Sequence, residues 1–212
     1  RDPPSRVVDG ARPTLPIVAL LLLPSVPAGL LIGAAAGLWG GWLDAVLMRL
    51  ADVFMAFPRL ILAIAVAATL SSGLWTAVIA IALTGWPPYA RVARAEVAAL
   101  RQAEFIQAAR ALGVSRLRLL LRHALPLCLP SAVVRAALDA PGIVLIVSGL
   151  GFLGLGLPPP APEWGAMVAE GRAIVFEAWW VSTLPGAMIL ALSLGFNFLG
   201  DALRDVVDPG VK

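Results

Sequence analysis

Long apolar stretches, interrupted by one strongly basic island, set the hydropathy pattern of this chain. A membrane-spanning helix needs about 20 mostly apolar residues. Three candidate spans lie within residues 13–90, and two more cover residues 127–150 and 182–200. The pattern therefore predicts an all-α, polytopic membrane protein with five spans in this chain.

The first three candidate spans are irregular. The first contains small residues at every fourth position, which predicts a face for close packing against another helix. These residues are Gly29, Gly33 and Gly37. An amphipathic segment, residues 39–57, then follows the membrane boundary, and Pro58 is expected to kink or restart the helix. Residues 71–73, with the sequence SSG, predict a tight turn between the second and third spans.

The basic island covers residues 91–126 and sets seven arginines against two glutamates. Its arginines are Arg91, Arg94, Arg101, Arg110, Arg116, Arg118 and Arg122. Basic loops between spans lie on the cytoplasmic side, so we predict a cytoplasmic loop here. By parity, residues 1–12 and 151–181 are then extracytoplasmic, and the tail 201–212 is cytoplasmic. A polar extracytoplasmic start without a signal peptide predicts a further span upstream, giving six in the full protein.

Within the basic loop, the residues predict a helix, a tight turn and a second helix. Residues 101–112 are rich in good helix formers, and Gly113 can adopt the left-handed conformation that ends a helix. Ser115 is a suitable N-cap for the second helix, and Pro126 is expected to close the motif at the membrane edge.

Two interpretations of this hairpin remain open from the residues alone. Ala108 and Ala109 provide a small surface just before the turn, which suits a knob inserted into a groove on a partner protein. An amphipathic hairpin lying on anionic lipid explains the same pattern of arginines and leucines.

Composition agrees with a membrane protein and narrows its chemistry. Of the 212 residues, 60% are hydrophobic and 14% are charged, whereas a soluble domain has about 25% charged residues. The net charge of +3 comes from arginines clustered between spans, so it indicates topology and not nucleic-acid binding. Cys128 and His123 are single residues of their types, which argues against a disulfide framework or a Cys- or His-based metal site within the chain.

The same sequence gives no support for an enzyme. A nucleotide-binding P-loop motif is absent, and the spans lack the Ser–His or paired-Asp arrangement of an intramembrane hydrolase. We therefore predict no catalytic residues and no metal in this chain. The remaining classes are a permease subunit driven by a separate ATPase and a secondary transporter or channel that works alone.

Two charged residues fall inside the fourth span. Arg135 and Asp139 are four positions apart, so they share a helix face and could form an ion pair. Charges within a span are costly and usually face a cavity or a partner. Either the pair lines a translocation path and contacts charged substrate termini, or it is a self-neutralising structural pair.

Several motifs resemble those of ATP-binding cassette importer permeases. The spacing of Ala108-Ala109, Gly113 and Leu125-Pro126 matches their EAA loop. Nearly the whole chain is similar to the dipeptide/oligopeptide/nickel subfamily, and in particular to its DppC/OppC-type subunit. The motifs that carry this similarity are Arg1-Asp2, GGWLDAVLMRLADVFMAFPRL, GWPPYARVARAEV, FIQAARALGVS, RHALP, GFLGLGLPPPAPEWGAM and FNFLGDALRDVVDP.

This resemblance implies the type I ABC importer permease fold and a role for the loop 91–126. The loop would dock on an ATP-binding subunit and transmit its closure to the spans. The residues expected at that contact are Gln107, Ala108, Ala109, Arg110, Gly113 and Ser115. Phe152 and Trp164 would form an extracytoplasmic gate or contact a binding protein, with an aromatic anchor at the membrane surface as the alternative for the tryptophan.

The resemblance also implies partners and a location. We expect a second permease subunit in a heterodimer, two ATP-binding subunits, an extracytoplasmic solute-binding protein and the lipid bilayer of a bacterial inner membrane. ATP and Mg would be bound by the ATP-binding subunits and no cofactor by this chain. Peptides are the expected substrate, and nickel or a metal chelate is the alternative within the same family.

Overall fold

The computed structural model of the protein describes residues 3–69, 74–157 and 161–207, and these residues form helices joined by short turns. The α-helices are α1 (Pro3–Asp9), α2 (Ala11–Trp39), α3 (Gly41–Ala56), α4 (Arg59–Thr69), α5 (Leu74–Leu100), α6 (Glu104–Ala111), α7 (Arg116–Leu119), α8 (Leu125–Phe152), α9 (Trp164–Gly171) and α10 (Trp180–Val207). The described residues contain no strand, and the prediction of an all-α fold is confirmed. The turn predicted at 71–73, the motif residues Arg1-Asp2 and the end of the tail lie outside the described residues.

Among the described helices, α2 and α5 share the most extensive packing, as the glycine spacing predicts. A Cβ atom added at Gly29 would lie 2.5 Å from the backbone oxygen of Trp86, and one added at Gly37 would lie 2.7 Å from that of Arg94. Gly33 faces the backbone of Ala90 between them. Small residues allow this approach because no side chain separates the two backbones.

The amphipathic segment after α2 forms helix α3, and the chain then bends by 90° into α4. The break falls at Phe57-Pro58, which confirms that Pro58 restarts the helix. At the other end of α3, Gly40 and Gly41 have φ angles of +65° and +61°. Glycine adopts these angles at no steric cost, so the pair makes the corner between α2 and α3.

Two helical features of the basic loop were not predicted. Helix α5 runs on to Leu100, so residues 91–100 form a helical stalk that extends α5 beyond the predicted third span. Pro126 does not close the second loop helix, because α7 leads through a π-turn at Leu120–Ala124 directly into α8. This wider turn opens the helix just before the proline, whose ring and missing N–H then fit without a break.

Three helices are long and apolar enough to cross a membrane within the described residues, and the bent pair α3–α4 is a fourth candidate. The three helices are the continuous α1–α2 stretch Arg6–Trp39, the continuous α7–α8 stretch Arg116–Phe152, and α10, Trp180–Val207. Helix α5 packs among them, although the polar sequence around Pro87 and Pro88 lowers its hydropathy. The total of five spans and the side on which each loop lies remain predictions.

The core forms two main clusters along this bundle. One joins α2, α4, α5 and α8, with Leu21, Ile81 and Ile143 at its centre. The other carries the arginine-rich hairpin, because Ile106 and Leu119 pack against Val97 of α5. The hairpin is therefore fixed to the bundle by buried apolar side chains.

Candidate functional site

The turn of the arginine-rich hairpin has the geometry that its sequence predicts. Helix α6 ends at Ala111, and Gly113 follows with a φ of +78°. The amide of Gly113 donates to the oxygen of Arg110 at 3.0 Å, and the amide of Val114 donates to Ala109 at 3.0 Å. These bonds satisfy carbonyls at the helix end, which confirms the glycine turn.

Local hydrogen bonds also fix the start of each hairpin helix. Ser115 caps α7, because its hydroxyl accepts a hydrogen bond from the amide of Arg118 at 3.4 Å. The side chain of Gln107 donates to the oxygen of Gln102 at 3.0 Å. Helix α6 starts at Glu104, three residues later than predicted, because residues 101–103 form the turn that separates it from α5.

Five of the six residues expected to contact an ATP-binding subunit lie on the exposed side of this hairpin. They are Gln107, Ala108, Arg110, Gly113 and Ser115. Ala109 is half-buried and packs toward the core cluster. The structure adds large apolar side chains to the same surface, namely Phe105, Leu112 and Leu117. Leu112 is 85% exposed. Its position next to Gly113, at the end of a helix, is the feature of the sequence that could have predicted this exposure.

The intramembrane charges are arranged differently from the predicted pair. Asp139 does not pair with Arg135, because Arg59 from α4 contacts both of its carboxylate oxygens at 2.9 Å. The hydroxyl of Tyr89 donates to the same carboxylate at 3.1 Å. Arg135 is exposed and lies within ion-pair distance of no acid in the described part of the chain. Sequence reasoning missed Arg59, because 80 residues separate it from Asp139.

The rest of the Arg59 guanidinium points into the bundle. Its Nε and Nη2 atoms are buried and have no hydrogen-bond partner among the described residues. A Cβ atom added at Gly85 would lie 2.9 Å from Nη2 and 2.8 Å from the Ser25 hydroxyl. Glycine at this position of α5 therefore makes room for the guanidinium between the helices.

Two further ion pairs tie helix α3 to the stalk of α5. Arg94 donates to Asp44 through Nη2 at 2.6 Å and Nε at 3.0 Å, and Arg91 pairs with Asp52. The hydrogen bond and then the charge of Asp44 raise the pKa of Arg94. An open cleft of about 560 Å³ lies between the two helices. Arg91 and Arg94, which belong to the basic loop that predicts the cytoplasmic side, thus also hold α5 against α3.

The expected contact role of Trp164 is not compatible with its position. Its side chain is 2% exposed, and its indole N–H donates to the oxygen of Val7 at 2.8 Å. A buried ring offers no surface to a binding protein and does not lie at the lipid boundary. Trp164 instead fastens α1 to α9, while Phe152 stays partly exposed at the end of α8.

Glu163, next to this tryptophan, is a buried acid that sequence reasoning did not single out. Its carboxylate caps α9 by accepting hydrogen bonds from the amides of Gly165 at 2.8 Å and Ala166 at 3.0 Å. Burial raises its pKa, and the two backbone hydrogen bonds oppose that shift. A Cβ atom at Gly151 would collide with this carboxylate, so the glycine-rich loop closes around it.

The described residues contain no group of three His, Cys, Asp or Glu side chains that could hold a metal ion. The arrangement instead combines an exposed hairpin, a rigid helical connection and a charged cluster within the bundle. Residues 29–212 match the family described as binding-protein-dependent transport system inner membrane component. The chain belongs to this family.

Relatives of this inner membrane component family cover the whole chain. The probable D,D-dipeptide transport system permease protein DdpC of Escherichia coli K12 is 41% identical over 99% of this chain and 70% of the relative. The di/tripeptide transport system permease protein DppC of Pseudomonas aeruginosa UCBPP-PA14 is 42% identical over 100% of this chain and 70% of the relative. The predicted similarity to dipeptide permeases is confirmed.

A solved structure shares the fold. A chain of the MetNI methionine ABC transporter, in an inward-facing conformation, superposes with a TM-score of 0.74 at 22% identity. The match covers 95% of this chain and 96% of the other. The predicted type I ABC importer permease fold is therefore confirmed for this family member.

Proposed function

We propose that this chain is the permease subunit through which an ATP-driven importer moves di- or oligopeptides across a bacterial inner membrane. The relatives at about 40% identity carry the names of dipeptide and peptide permeases, which supports the substrate class. The observation that carries the mechanism is the hairpin α6–α7, which exposes a small-residue and apolar surface on a buried anchor.

The hairpin suits a partner groove better than a lipid surface. Its exposed tip includes the small residues Ala108 and Gly113 beside the apolar Leu112, a shape that can enter a groove. Ile106 and Leu119 are 1% and 0% exposed and hold the hairpin rigidly on the bundle. A push on the tip is therefore passed to α8, which continues from α7 through the π-turn, and to α5, against which the hairpin packs.

The partners follow from this arrangement. Two ATP-binding subunits bind ATP and Mg, and one of them receives the hairpin of this chain. A second permease subunit completes the path, and an extracytoplasmic solute-binding protein delivers the substrate. In this proposal the hairpin and the C-terminal end of α10 face the cytoplasm, and the chain itself performs no covalent chemistry.

The test uses the complete reconstituted complex and the substitution Gly113→Asp. Gly113 and Gly154 both have positive φ, of +78° and +76°, and an added Cβ meets nothing within 4 Å at either position. Gly154→Asp is therefore a control with the same backbone strain at a different site. Peptide-loaded binding protein is expected to stimulate ATP hydrolysis and peptide uptake by the wild type and Gly154→Asp, but not by Gly113→Asp.

Two results would count against this proposal. If Gly113→Asp keeps stimulated hydrolysis and uptake, the hairpin is not the coupling contact and the lipid-surface interpretation gains support. If the wild-type complex takes up nickel or a nickel chelate and no peptide, the substrate class is wrong while the permease role stands.

A further inference from the structure

Three hydrogen bonds from two donor groups already occupy the Asp139 carboxylate. Arg59 Nη1 lies 2.9 Å from each of its oxygens, and the Tyr89 hydroxyl lies 3.1 Å from one of them. These donors come from α4 and α5, while Asp139 lies on α8. Asp139 is therefore a bound anion that joins three helices, and not a free one that faces a transported molecule.

Arg135 is in the opposite situation. It lies one helical turn before Asp139, its side chain is exposed, and no described acid is within ion-pair distance. Because residues four positions apart share a face of α8, Arg135 lies beside the same cluster. At 1.5 Å per residue it is about 15 Å along the helix from Leu125, well inside the apolar rod. A cation at such a depth faces a cavity or an anionic group.

Arg59 determines whether Arg135 is free. Residues four positions apart on a helix readily form ion pairs, so Asp139 is the natural partner of Arg135. The contact from Arg59 to both carboxylate oxygens prevents that pairing. The cluster of two arginines and one aspartate therefore keeps a net charge of +1, with its free cation on the exposed side.

We propose that Arg135 binds the carboxylate of the transported substrate, and that Arg59 and Tyr89 are positioning residues that keep Asp139 away from it. This inference rests on the proposed peptide transport and names the substrate group recognised. A guanidinium binds a carboxylate through two parallel hydrogen bonds, which are strong where water is scarce. The C-terminal carboxylate of a peptide has this chemistry.

The test measures uptake of a mixture of isotope-labelled dipeptides by the reconstituted complex with all its subunits. Arg135→Gln is expected to lower uptake about tenfold or more, which is the usual effect of losing a charge-assisted hydrogen bond. Arg135→Lys keeps the charge and is expected to retain more uptake. Arg204→Gln, which alters another exposed arginine at the end of α10, is the matched control and is expected to behave as the wild type.

A double variant separates positioning from mere structural support. Arg59→Gln frees Asp139 to pair with Arg135, so uptake is expected to fall although Arg135 is intact. Adding Asp139→Asn removes the competing acid and is expected to restore much of the uptake. If Arg59 and Asp139 only hold helices together, the double variant is no better than Arg59→Gln alone, and the positioning role is wrong.

The remaining outcomes also decide the matter. Undiminished uptake by Arg135→Gln would overturn the inference. Failure of the second permease subunit to co-purify with Arg135→Gln would overturn it too, because the anion would then belong to that subunit. A wild-type complex that takes up no dipeptide would contradict the proposed function itself, and the inference with it.

Discussion

The contact between α2 and α5 makes a sharp prediction for Gly33→Ala. The added methyl group would overlap the backbone oxygen of Ala90 and would also lie 2.7 Å from its carbonyl carbon and Cα, at least about 0.7 Å short of an ordinary contact of 3.4 Å. Backbone atoms cannot rotate away as a side chain can, so the two helices must separate. Overpacking of this kind costs about 1–3 kcal/mol.

Glycine-to-alanine substitutions elsewhere in the bundle are expected to change stability in the opposite direction. A Cβ added at Gly142 of α8 or Gly195 of α10 meets nothing within 4 Å. In a helix interior, alanine is favoured over glycine by about 1 kcal/mol. Gly142→Ala and Gly195→Ala are therefore expected to be neutral or slightly stabilising, whereas Gly33→Ala loses about 0–2 kcal/mol after this gain is counted.

The measurement is the free energy of unfolding of the purified protein, followed by SDS titration in mixed micelles. Peptide uptake by the assembled complex gives a second readout, because a wider α2–α5 spacing also moves the hairpin that packs on α5. If Gly33→Ala is as stable as the two control variants, the helices do not approach as closely as the structure shows, and the packing argument fails.

Three further predictions concern single interactions. Glu163→Gln is expected to remove a pH dependence of the stability of the fold. Burial raises the pKa of Glu163 in the folded state above its value in the unfolded state. Its protonation therefore stabilises the fold fully below the unfolded pKa, and this stabilisation is lost as the pH rises through the folded pKa. The melting temperature of the wild type should therefore rise relative to that of the variant as the pH is lowered from neutral toward the unfolded pKa of about 4.3, and parallel curves would contradict it. Trp164→Phe loses the hydrogen bond to Val7, worth about 1 kcal/mol, and should speed limited proteolysis of α1; unchanged cleavage would refute that role. Ser115→Ala removes the α7 cap and should raise amide hydrogen exchange in α7. The expected loss of stability is at the low end of about 0.5–2 kcal/mol, because the capping hydrogen bond is long. Unchanged exchange would show that the cap is not needed.

Local features of the hairpin were predictable from the sequence. The Gly113 turn and the Ser115 cap depend on atoms within four residues, so residue type is sufficient to place them. The end of the motif was not predictable in the same way. Pro126 usually marks a boundary, but a π-turn in the preceding residues lets the helix pass through it.

The partners of the charged and aromatic residues were outside the reach of sequence reasoning. The spacing of Arg135 and Asp139 favours an ion pair between them, yet in the structure Asp139 pairs with Arg59. Trp164 looked like a surface aromatic, yet Val7 covers it from a distant part of the chain. Both outcomes depend on which helices become neighbours, and spacing along one helix carries no information about that.

The sequence by itself determined the all-α class, the apolar spans, the small-residue face of α2 and the family. These properties follow from hydropathy, local sterics and the order of motifs, all of which depend on residues that are close together in the sequence. Only the tertiary structure decided that Arg59 holds Asp139, that Arg135 is left without an acid and that Glu163 is buried. The physical reason is that charge pairing and burial are set by the packing of helices far apart in the chain, where one neighbour excludes another.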